Sequence, residues 1–228
     1  MDNGRLLLEN GYPLTDHQLE QFSRYCELLR EWNGKFNLTA ITDPRQIYIR
    51  HFLDCLLLTE YELKGTLCDI GSGAGFPGVV LKIACPELAV TLLEPNNKKV
   101  RFLNELTSQL ALEGITALPV RAEEYAHEHF QQADYAVSRA VAPLNILVEL
   151  ALPSVKTGGH FLAAKGPKAS EEIALAAHGI ELLGGTISSA REFRLPDGSV
   201  RVIIDILKTA PTNPKYPRQY GQIKKKPL

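Results

Sequence analysis

Apolar side chains recur at helical spacing in the first part of the chain. Leu19, Phe22, Cys26 and Leu29 lie three or four residues apart, and the letters TDHQ just before them form a capping-box pattern. We therefore predict an amphipathic helix that runs to about Trp32. A second helix is predicted from the letters TDP, which place a proline at the first helical position, through RHFLDCLLL.

From residue 66 onward, short apolar runs alternate with helical patterns. The runs TLCDI, AVTLLEP, ITALPV, DYAVSRA and HFLAAKG have the length of strands. Helices are predicted over residues 76–85, in NNKKVRFLNELTSQLALEG, in PLNILVELALPSVK and over residues 169–182. Two late strands, around 186–195 and 200–207, are joined by LPDGS, whose Asp-Gly pair indicates a turn. This alternation predicts an α/β fold with a mainly parallel sheet, helices on both faces and an antiparallel C-terminal hairpin.

Conspicuous polar side chains stand at or just after the ends of the predicted strands. They are Asp69, Glu94, Glu123, Arg139 and Lys165. In open α/β sheets, ligands bind beyond the carboxyl ends of the strands. The sequence therefore predicts a functional site at that edge of the sheet.

The segment CDIGSGAGFPG, after the first strand, indicates the kind of ligand. Gly71, Gly73 and Gly75 follow Asp69 in the pattern D-x-G-x-G-x-G, and Phe76 stands where a dinucleotide-binding loop would have its third glycine. A phosphate-binding Gly-Lys-Ser/Thr ending is also absent from the segment. The pattern suits a cationic ligand without phosphate, such as S-adenosylmethionine (SAM), with Asp69 attracting its ammonium group.

Two further carboxylates suit the other parts of SAM. Glu94, at the end of the second strand, can accept hydrogen bonds from both ribose hydroxyls, and Glu123 follows the third strand, where adenine is expected. Each could instead be a solvated surface carboxylate. Their order and spacing favour a SAM-dependent methyltransferase.

Charge is unevenly distributed along the chain. The 228 residues carry a net charge of −1, yet residues 209–228 hold five Lys or Arg and no acid. The prolines and polarity of this tail argue against a helix there, and its composition is typical of disorder. The alternative is a basic arm that grips phosphates, with Tyr216 and Tyr220 available for stacking on bases, and our hypothesis is that this arm folds against the body.

Cysteines and histidines give no sign of a metal site. The four cysteines have no CxxC pairing and are predicted to be buried free thiols. His51 lies in an apolar helical stretch, where hydrogen-bonded helix packing is expected, and His127 and His129 lack a strong ligand set around them. With neither a membrane-length apolar run nor a secretory signal, we expect a cytoplasmic protein.

Seven segments together resemble the glucose-inhibited division protein B family: WNGKFNLTAI, RHFLDCL, CDIGSGAGFPGVVLKI, NNKKVRFLN, SRAVAPL, HFLAAKG and YPRQYGQIKKKPL. The resemblance runs from about residue 16 to the C-terminus. It implies a Rossmann-like methyltransferase fold and methyl transfer from SAM to N7 of a guanine in small-subunit ribosomal RNA. It also implies SAM contacts at Gly71, Phe76, the pair Ala122 and Glu123, and Arg139, with S-adenosylhomocysteine as product.

Guanine N7 carries a free lone pair, so the implied reaction needs no general base. Arg139 is therefore a candidate for positioning, although it could instead pair with Asp69 or another acid to hold the strand ends together. The expected partner is small-subunit ribosomal RNA or the subunit itself, bound by a monomer at an opened or flipped base. The candidate RNA-binding residues are Lys98, Lys99, Arg101, Lys165, Lys168, Lys215, Arg218, Lys224, Lys225 and Lys226.

We predict three regions: a helical extension over residues 1–64, a methyltransferase core over 65–208 and a basic arm over 209–228. Three other functions compete with RNA methylation. The protein could methylate another acceptor, could be a SAM-binding ribosome assembly factor, or could be an NAD-dependent oxidoreductase. The basic tail argues against the first of these and Phe76 against the last.

Overall fold

The computed structural model describes residues 3–228, which form a seven-stranded sheet covered by helices. The strand order is β3-β2-β1-β4-β5-β7-β6, and β7 runs antiparallel to both of its neighbours. The pairs among β1 to β5 are parallel, which confirms the predicted α/β sheet with its antiparallel hairpin. The strands are β1 Thr66–Ile70, β2 Ala89–Leu93, β3 Ile115–Leu118, β4 Ala133–Arg139, β5 Val155–Lys165, β6 Gly185–Arg194 and β7 Val200–Lys208.

Helices precede the sheet and connect its strands. Among residues 3–228, no helix is both long and apolar enough to cross a membrane. A π-helix over Tyr48–Leu53 and short 3-10 helices at Leu57–Tyr61 and Leu152–Ser154 complete the helical elements. The α-helices are α1 Gly4–Glu9, α2 Asp16–Phe36, α3 Pro44–Ile47, α4 Asp54–Leu56, α5 Gly78–Ala84, α6 Asn97–Gln109, α7 Ala122–Glu128, α8 Leu144–Ala151, α9 Ala169–Leu182 and α10 Tyr220–Lys225.

The sheet separates two apolar cores, which is why its central strands are apolar on both sides. One core joins the N-terminal helices to α5 and α6, with Phe22, Tyr25 and Phe52 fully buried in it. The other core lies under α8, α9 and the C-terminal tail. The N-terminal helices therefore cover one face of the sheet.

Local sequence signals set several helix ends. The Thr15 hydroxyl accepts from the Gln18 backbone N–H, and the Gln18 side chain accepts from the Thr15 N–H, so the predicted capping box is present. Asp43 caps α3 by accepting from the Gln46 N–H at 2.9 Å, with Pro44 at the first position of the helix. Both predicted helix starts are confirmed.

The C-terminal tail lies against the body and contains helix α10, so the prediction that it has no helix is wrong. Pro217 and Pro227 fall outside α10 and do not interrupt it. Ile223 is fully buried, and Tyr216 is buried too, so Tyr216 is not available for stacking on a base. Tertiary contacts thus outweigh the tail's polar composition.

An ion pair fixes the tail to helix α8. The Arg218 guanidinium donates to both carboxylate oxygens of Glu149, at 2.8 and 2.6 Å, and the Arg218 backbone N–H donates to Oε1 at 2.9 Å. The Glu149 side chain is fully buried. Removing one partner of such a pair typically costs about 3–5 kcal/mol, so this contact strongly favours the packed tail.

Candidate active site

The loops after β1 and β4 meet at the carboxyl edge of the sheet. These strands are neighbours, and the chain continues to β2 on one side and to β5 on the other. A change of direction of this kind leaves a crevice where ligands bind in open α/β sheets. Two cavities that share four residues occupy the crevice.

The first cavity, which we call the glycine-loop cavity, has a volume of about 370 Å³. It brings together five residues that the sequence predicted for cofactor binding, and one, Lys99, that it predicted for RNA. Its remaining lining comes from the loop after α2, from the π-helix and from the loop after β4. The lining residues are Leu38, Thr39, His51, Gly71, Ser72, Gly73, Ala74, Phe76, Glu94, Pro95, Lys99, Arg139, Ala140 and Val141.

Two glycines give the cavity access to the backbone. Gly71 has φ +72°, and a Cβ there would lie 2.7 Å from Cγ2 of Val141. Gly73 has φ +58°, and its nearest non-neighbouring atom would be 3.9 Å from such a Cβ. Side chains at these positions would be strained and would fill the space in which a ligand can approach the main chain.

Glu94 holds the glycine loop to the end of β2. Its Oε2 accepts from the Gly73 N–H at 3.0 Å, and its Oε1 accepts from the Asn96 N–H at 2.9 Å. The Lys99 ammonium lies 3.8 Å from Oε2. The carboxylate therefore stands at the cavity wall in a fixed orientation, with lone pairs left for hydroxyl donors.

Asp69 and Gly75 do not line this cavity. Asp69 is fully buried, and its Oδ2 accepts from the Gly78 N–H at 2.9 Å, which ties the loop to the start of α5. Burial raises the pKa of Asp69 to about 7, against the opposing effect of that hydrogen bond. A Cβ on Gly75 would meet the Tyr25 hydroxyl at 2.6 Å. Both residues thus shape the loop from behind, and a direct contact between Asp69 and a ligand stays a prediction.

Ala122 and Glu123 also lie outside both cavities of the crevice. They begin α7, one strand further along the sheet than Glu94. Glu123 is buried, and burial raises its pKa, while backbone N–H groups, including that of Tyr220 in the tail, oppose the rise. Their contact with adenine stays a prediction.

Arg139 is held by the π-helix. Its guanidinium donates to the Arg50 carbonyl at 3.0 Å, to Asp54 Oδ2 at 2.9 Å and to His51 Nδ1 at 3.1 Å. It also lies 5.0 Å from the centre of the Phe76 ring. Arg139 thus pairs with another acid, as one alternative foresaw, but that acid is Asp54 and the suggested partner Asp69 is wrong.

Asp54 is shared by two arginines. Its Oδ1 accepts from Arg201 Nε at 3.0 Å, and its Oδ2 accepts from the Arg139 guanidinium. Only 3% of the Asp54 side chain is exposed. One buried carboxylate therefore pairs with two guanidinium groups at the edge of the crevice, and the three side chains keep a net charge of +1. Because each partner is fixed by more than one contact, the cluster is a rigid wall.

His51 is neutral and has a defined tautomer. Arginine only donates, so His51 Nδ1 must accept from Arg139 and its proton must be on Nε2, which donates to Thr39 Oγ1 at 2.8 Å. Burial, followed by the charge of Arg139, lowers the His51 pKa to about 3. The ring stacks on Phe76 with 4.4 Å between centroids. The expected hydrogen-bonded packing role is confirmed, and His51 also lines both cavities.

The second cavity, which we call the strand-end cavity, has a volume of about 670 Å³. It lies beside the glycine-loop cavity and shares His51, Arg139, Ala140 and Val141 with it. Its far wall is formed by the end of β5 and the start of α9. The other lining residues are Ile41, Arg50, Asp54, Ala142, Pro143, Ala164, Lys165, Gly166, Glu172 and Arg201.

The residues predicted for RNA fall into two groups. Lys165 is paired with Glu172, and Arg218 is paired with Glu149, so both have structural partners. Lys99 is partly buried beside Glu94. The exposed group consists of Lys98, Arg101, Lys168, Lys215, Lys224, Lys225 and Lys226.

Cysteine and metal chemistry play no visible part in the crevice. Cys26, Cys55 and Cys68 are buried free thiols, as predicted, while Cys85 is partly exposed. In the part of the chain from residue 3 to residue 228, no three His, Cys, Asp or Glu side chains are grouped so that they could hold a metal ion.

Comparison with known proteins identifies the family. The family model GidB, described as rRNA small subunit methyltransferase G, matches residues 18–198. The chain is also 44% identical to a ribosomal RNA small subunit methyltransferase G from Alkaliphilus metalliredigens, over 96% of this chain and 95% of that protein. The chain belongs to the GidB family.

Solved structures agree with this GidB assignment at the level of the fold. Precorrin-6y C5,15-methyltransferase from Geobacter metallireducens superposes with a TM-score of 0.52 at 14% identity, over 69% of this chain and 88% of that one. TYW2 from M. jannaschii, in complex with AdoMet, gives a TM-score of 0.52 at 14% identity, over 67% and 74% of the two chains. The fold is the Rossmann-like fold of SAM-dependent methyltransferases.

Several polar residues of the GidB-family crevice were not singled out from the sequence, and four of them show why. Thr39, Asp54, Glu172 and Arg201 all line it. Asp54 had a detectable signal, because a lone acid within the apolar run RHFLDCLLL is rarely buried without a partner. Thr39, Glu172 and Arg201 sit in ordinary polar surroundings, which carry no comparable signal.

Proposed function

We propose that this GidB-family chain transfers a methyl group from SAM to N7 of a specific guanine in small-subunit ribosomal RNA. The observation that carries the proposal is the family match over nearly the whole chain, in a fold with two joined cavities at its switch point. The guanine and its N7 atom come from the family resemblance. The proposal covers donor, acceptor and the residues between them.

The glycine-loop cavity fits SAM. The main chain at Gly71 and Gly73 is open to a ligand, and Glu94 offers carboxylate oxygens to ribose hydroxyls. Phe76 and Val141 supply apolar surface on the side of the strand-end cavity. These features support SAM in preference to a dinucleotide, whose binding loop has a glycine, required for close helix–strand packing, where Phe76 stands.

Bound SAM supplies an electrophilic methyl group on a sulfonium, and the residues of this chain have to align the acceptor with it. Guanine N7 attacks through its own lone pair, so no side chain needs to remove a proton. The rate gain must then come mainly from proximity and orientation in a site without bulk water. The rigid cluster of Arg139, His51 and Asp54 suits this positioning task.

The charges of the wall are partly offset. His51 is neutral because its pKa is about 3, and Asp54 shares its one negative charge between Arg139 and Arg201. The attraction of Asp54 therefore reduces the repulsion between Arg139 and a nearby sulfonium. We propose Arg139 as a positioning residue and assign no general base.

The RNA would be held outside the cavities by exposed cations. Lys168 lies beyond the strand-end cavity, and Lys224, Lys225 and Lys226 project from the packed tail. We propose that residues 209–228 act as a basic arm on RNA phosphates and that the protein works as a monomer in the cytoplasm. The overall charge of −1 means that this attraction has to be local.

The test is methyl transfer from isotopically labelled SAM to small ribosomal subunits from cells that lack this gene. We expect label in 7-methylguanosine at one RNA position, identified by mass spectrometry. The variant Glu94→Ala should weaken SAM binding about 10- to 100-fold because it removes the ribose acceptor. Glu87→Ala, which removes an exposed carboxylate elsewhere, should not.

Two results would overturn the proposal. Absence of label on both subunits and stripped RNA would redirect the search to other acceptors. Label in a nucleoside other than 7-methylguanosine would keep the methyltransferase and reject the N7 assignment.

A further inference from the structure

The ion pair of Lys165 and Glu172 forms the far wall of the strand-end cavity. Lys165 Nζ, at the end of β5, lies 2.7 Å from Glu172 Oε2, at the start of α9. Lys165 Nζ also donates to the Ala142 carbonyl at 2.7 Å, and the Leu144 N–H donates to Glu172 Oε2 at 2.8 Å. The pair is therefore anchored to the segment that follows β4.

Both side chains of the pair can still form hydrogen bonds with a ligand. The hydrogen bonds of Glu172 within residues 3–228 use Oε2, which leaves Oε1 as an acceptor, and a quarter of its side chain is exposed. Lys165 has three N–H donors and uses two of them. The wall thus presents a charged donor beside a charged acceptor.

This arrangement complements one edge of guanine. On that base, O6 is an acceptor and stands next to N1–H and the N2 amino group, which are donors. Adenine has the reverse pattern, because its N6 amino group donates and its N1 accepts. Lys165 facing O6 and Glu172 facing N1–H would favour guanine. Adenine would instead place its N6 donor against the Lys165 donor and its N1 acceptor against the Glu172 acceptor.

The same orientation leaves the reacting atom free. Around the rim of guanine, O6 lies between N7 and N1, so contacts to O6 and N1–H do not cover N7. The strand-end cavity joins the glycine-loop cavity through His51, Arg139, Ala140 and Val141, and β4 lies between the strand of the glycine loop, β1, and the strand of Lys165, β5. Its volume of about 670 Å³ is within the range of roughly 300–1,000 Å³ for ligand sites.

We propose that Lys165 and Glu172 select guanine as the acceptor base, with Glu172 accepting from N1–H and the N2 amino group. This inference rests on the proposed function and adds the base-reading residues to it. Glu172 is a specificity-determining residue, whose effect appears in the choice between bases.

The experiment compares acceptor bases in three proteins. Small subunits are reconstituted with RNA that carries guanine, inosine or adenine at the methylated position, and kcat/KM is measured for each. Inosine keeps O6 and N1–H but lacks the N2 amino group. For the wild type we expect a loss of at least about tenfold with inosine and a larger loss with adenine.

Glu172→Gln tests the carboxylate without removing the acceptor for the Leu144 N–H. Its single amide oxygen can serve that N–H, and its NH₂ would then face the donors of guanine. We expect kcat/KM for guanine to fall about tenfold or more and the guanine-to-inosine ratio to fall to about threefold or less. Glu171→Gln, with the same charge change on an exposed neighbour outside the cavity, should keep the wild-type ratio.

The outcomes separate the two proposals. If Glu172→Gln lowers kcat/KM equally for guanine and inosine, the guanine-to-inosine ratio is unchanged. Glu172 would then be a structural cap, and this inference alone would be overturned. A wild type that methylates no guanine would overturn the proposed function and this inference with it. SAM affinity, measured by equilibrium dialysis, should be the same in all three proteins, because Glu172 lies outside the glycine-loop cavity.

Discussion

At the scale of single residues, Asp69 links the glycine loop to the pH dependence of stability. Burial raises its pKa from 3.8 to about 7. Between these values the folded protein keeps a proton that the unfolded chain has lost, so stability falls as the pH rises through this window. Asp69→Asn keeps an acceptor for the Gly78 N–H and removes the ionisation.

We expect the free energy of unfolding of the wild type, relative to Asp69→Asn, to fall by about 2–4 kcal/mol between pH 4 and pH 8, since one pKa unit is worth about 1.4 kcal/mol. Urea unfolding of both proteins at several pH values measures this difference. The lowered pKa of His51 makes stability rise with pH, but His51 is present in both proteins, so its effect cancels in the difference between them. Asp16→Asn, at an exposed position, is the control: the difference in unfolding free energy between the wild type and this variant should stay constant over the same pH range. A fall in that difference like the one expected against Asp69→Asn would contradict the assignment to Asp69.

Single residues also show the limit of sequence-based prediction. The positions of the glycine loop and Glu94 beside one cavity could be predicted, because they follow from local spacing after β1 and β2. The partners of Arg139 could not be predicted from the sequence. Asp54 is 85 positions away from Arg139 along the chain, and 147 positions away from Arg201, the other arginine that it contacts. Only the folded chain brings these charges into one cluster.

At the scale of elements, periodicity was sufficient for several elements with one apolar face, although it did not predict the short helices α1 and α7. The helix predicted over residues 169–182 is α9, and the predicted hairpin is β6 and β7. The π-helix was not foreseen, because its sequence, YIRHFL, has no pattern that distinguishes it from an α-helix. The tail helix was missed because its stability comes from Glu149 and from the core that buries Ile223.

The tail gives a prediction about RNA affinity. Lys224, Lys225 and Lys226 are exposed on a packed segment, so replacing all three with glutamine should weaken RNA binding without unfolding the tail. If each contacts one phosphate, the slope of log K against log salt should become shallower by about 2. Filter binding of small-subunit RNA at several salt concentrations measures that slope.

A matched control removes the same charge elsewhere. Arg5, Lys35 and Lys64 are exposed in the N-terminal helical region, and their triple glutamine variant should keep the wild-type slope. Equal slopes in both triple variants would show that the tail makes no special phosphate contacts. Deleting the tail would be a poorer test, because it would leave buried Glu149 without Arg218.

At the scale of the whole molecule, the sheet order brings distant segments to one crevice. The strand-end cavity takes its walls from the π-helix, the loop after β4, the end of β5 and the start of α9. The parallel strands could be predicted from the alternation of elements, and so could the edge at which ligands bind. The division of the crevice into two joined cavities could not, because it depends on side chains such as Val141 at the junction.

The packed tail also has a calorimetric consequence. A segment that folds only on its partner adds the heat-capacity change of its own folding to that of binding. Residues 215–228 would contribute about −0.2 kcal/mol/K in that case, at roughly 14 cal/mol/K per residue. Because the tail is already packed, RNA binding by the wild type should lack this contribution.

Titration calorimetry of small-subunit RNA binding at several temperatures measures the effect. Ile223→Ala, which removes the buried anchor of α10, should loosen the tail and make the heat-capacity change more negative than in the wild type. Identical values would mean that the tail stays packed without this anchor or takes no part in binding. A basic arm held in place before RNA arrives would bind with little entropic penalty from its own ordering.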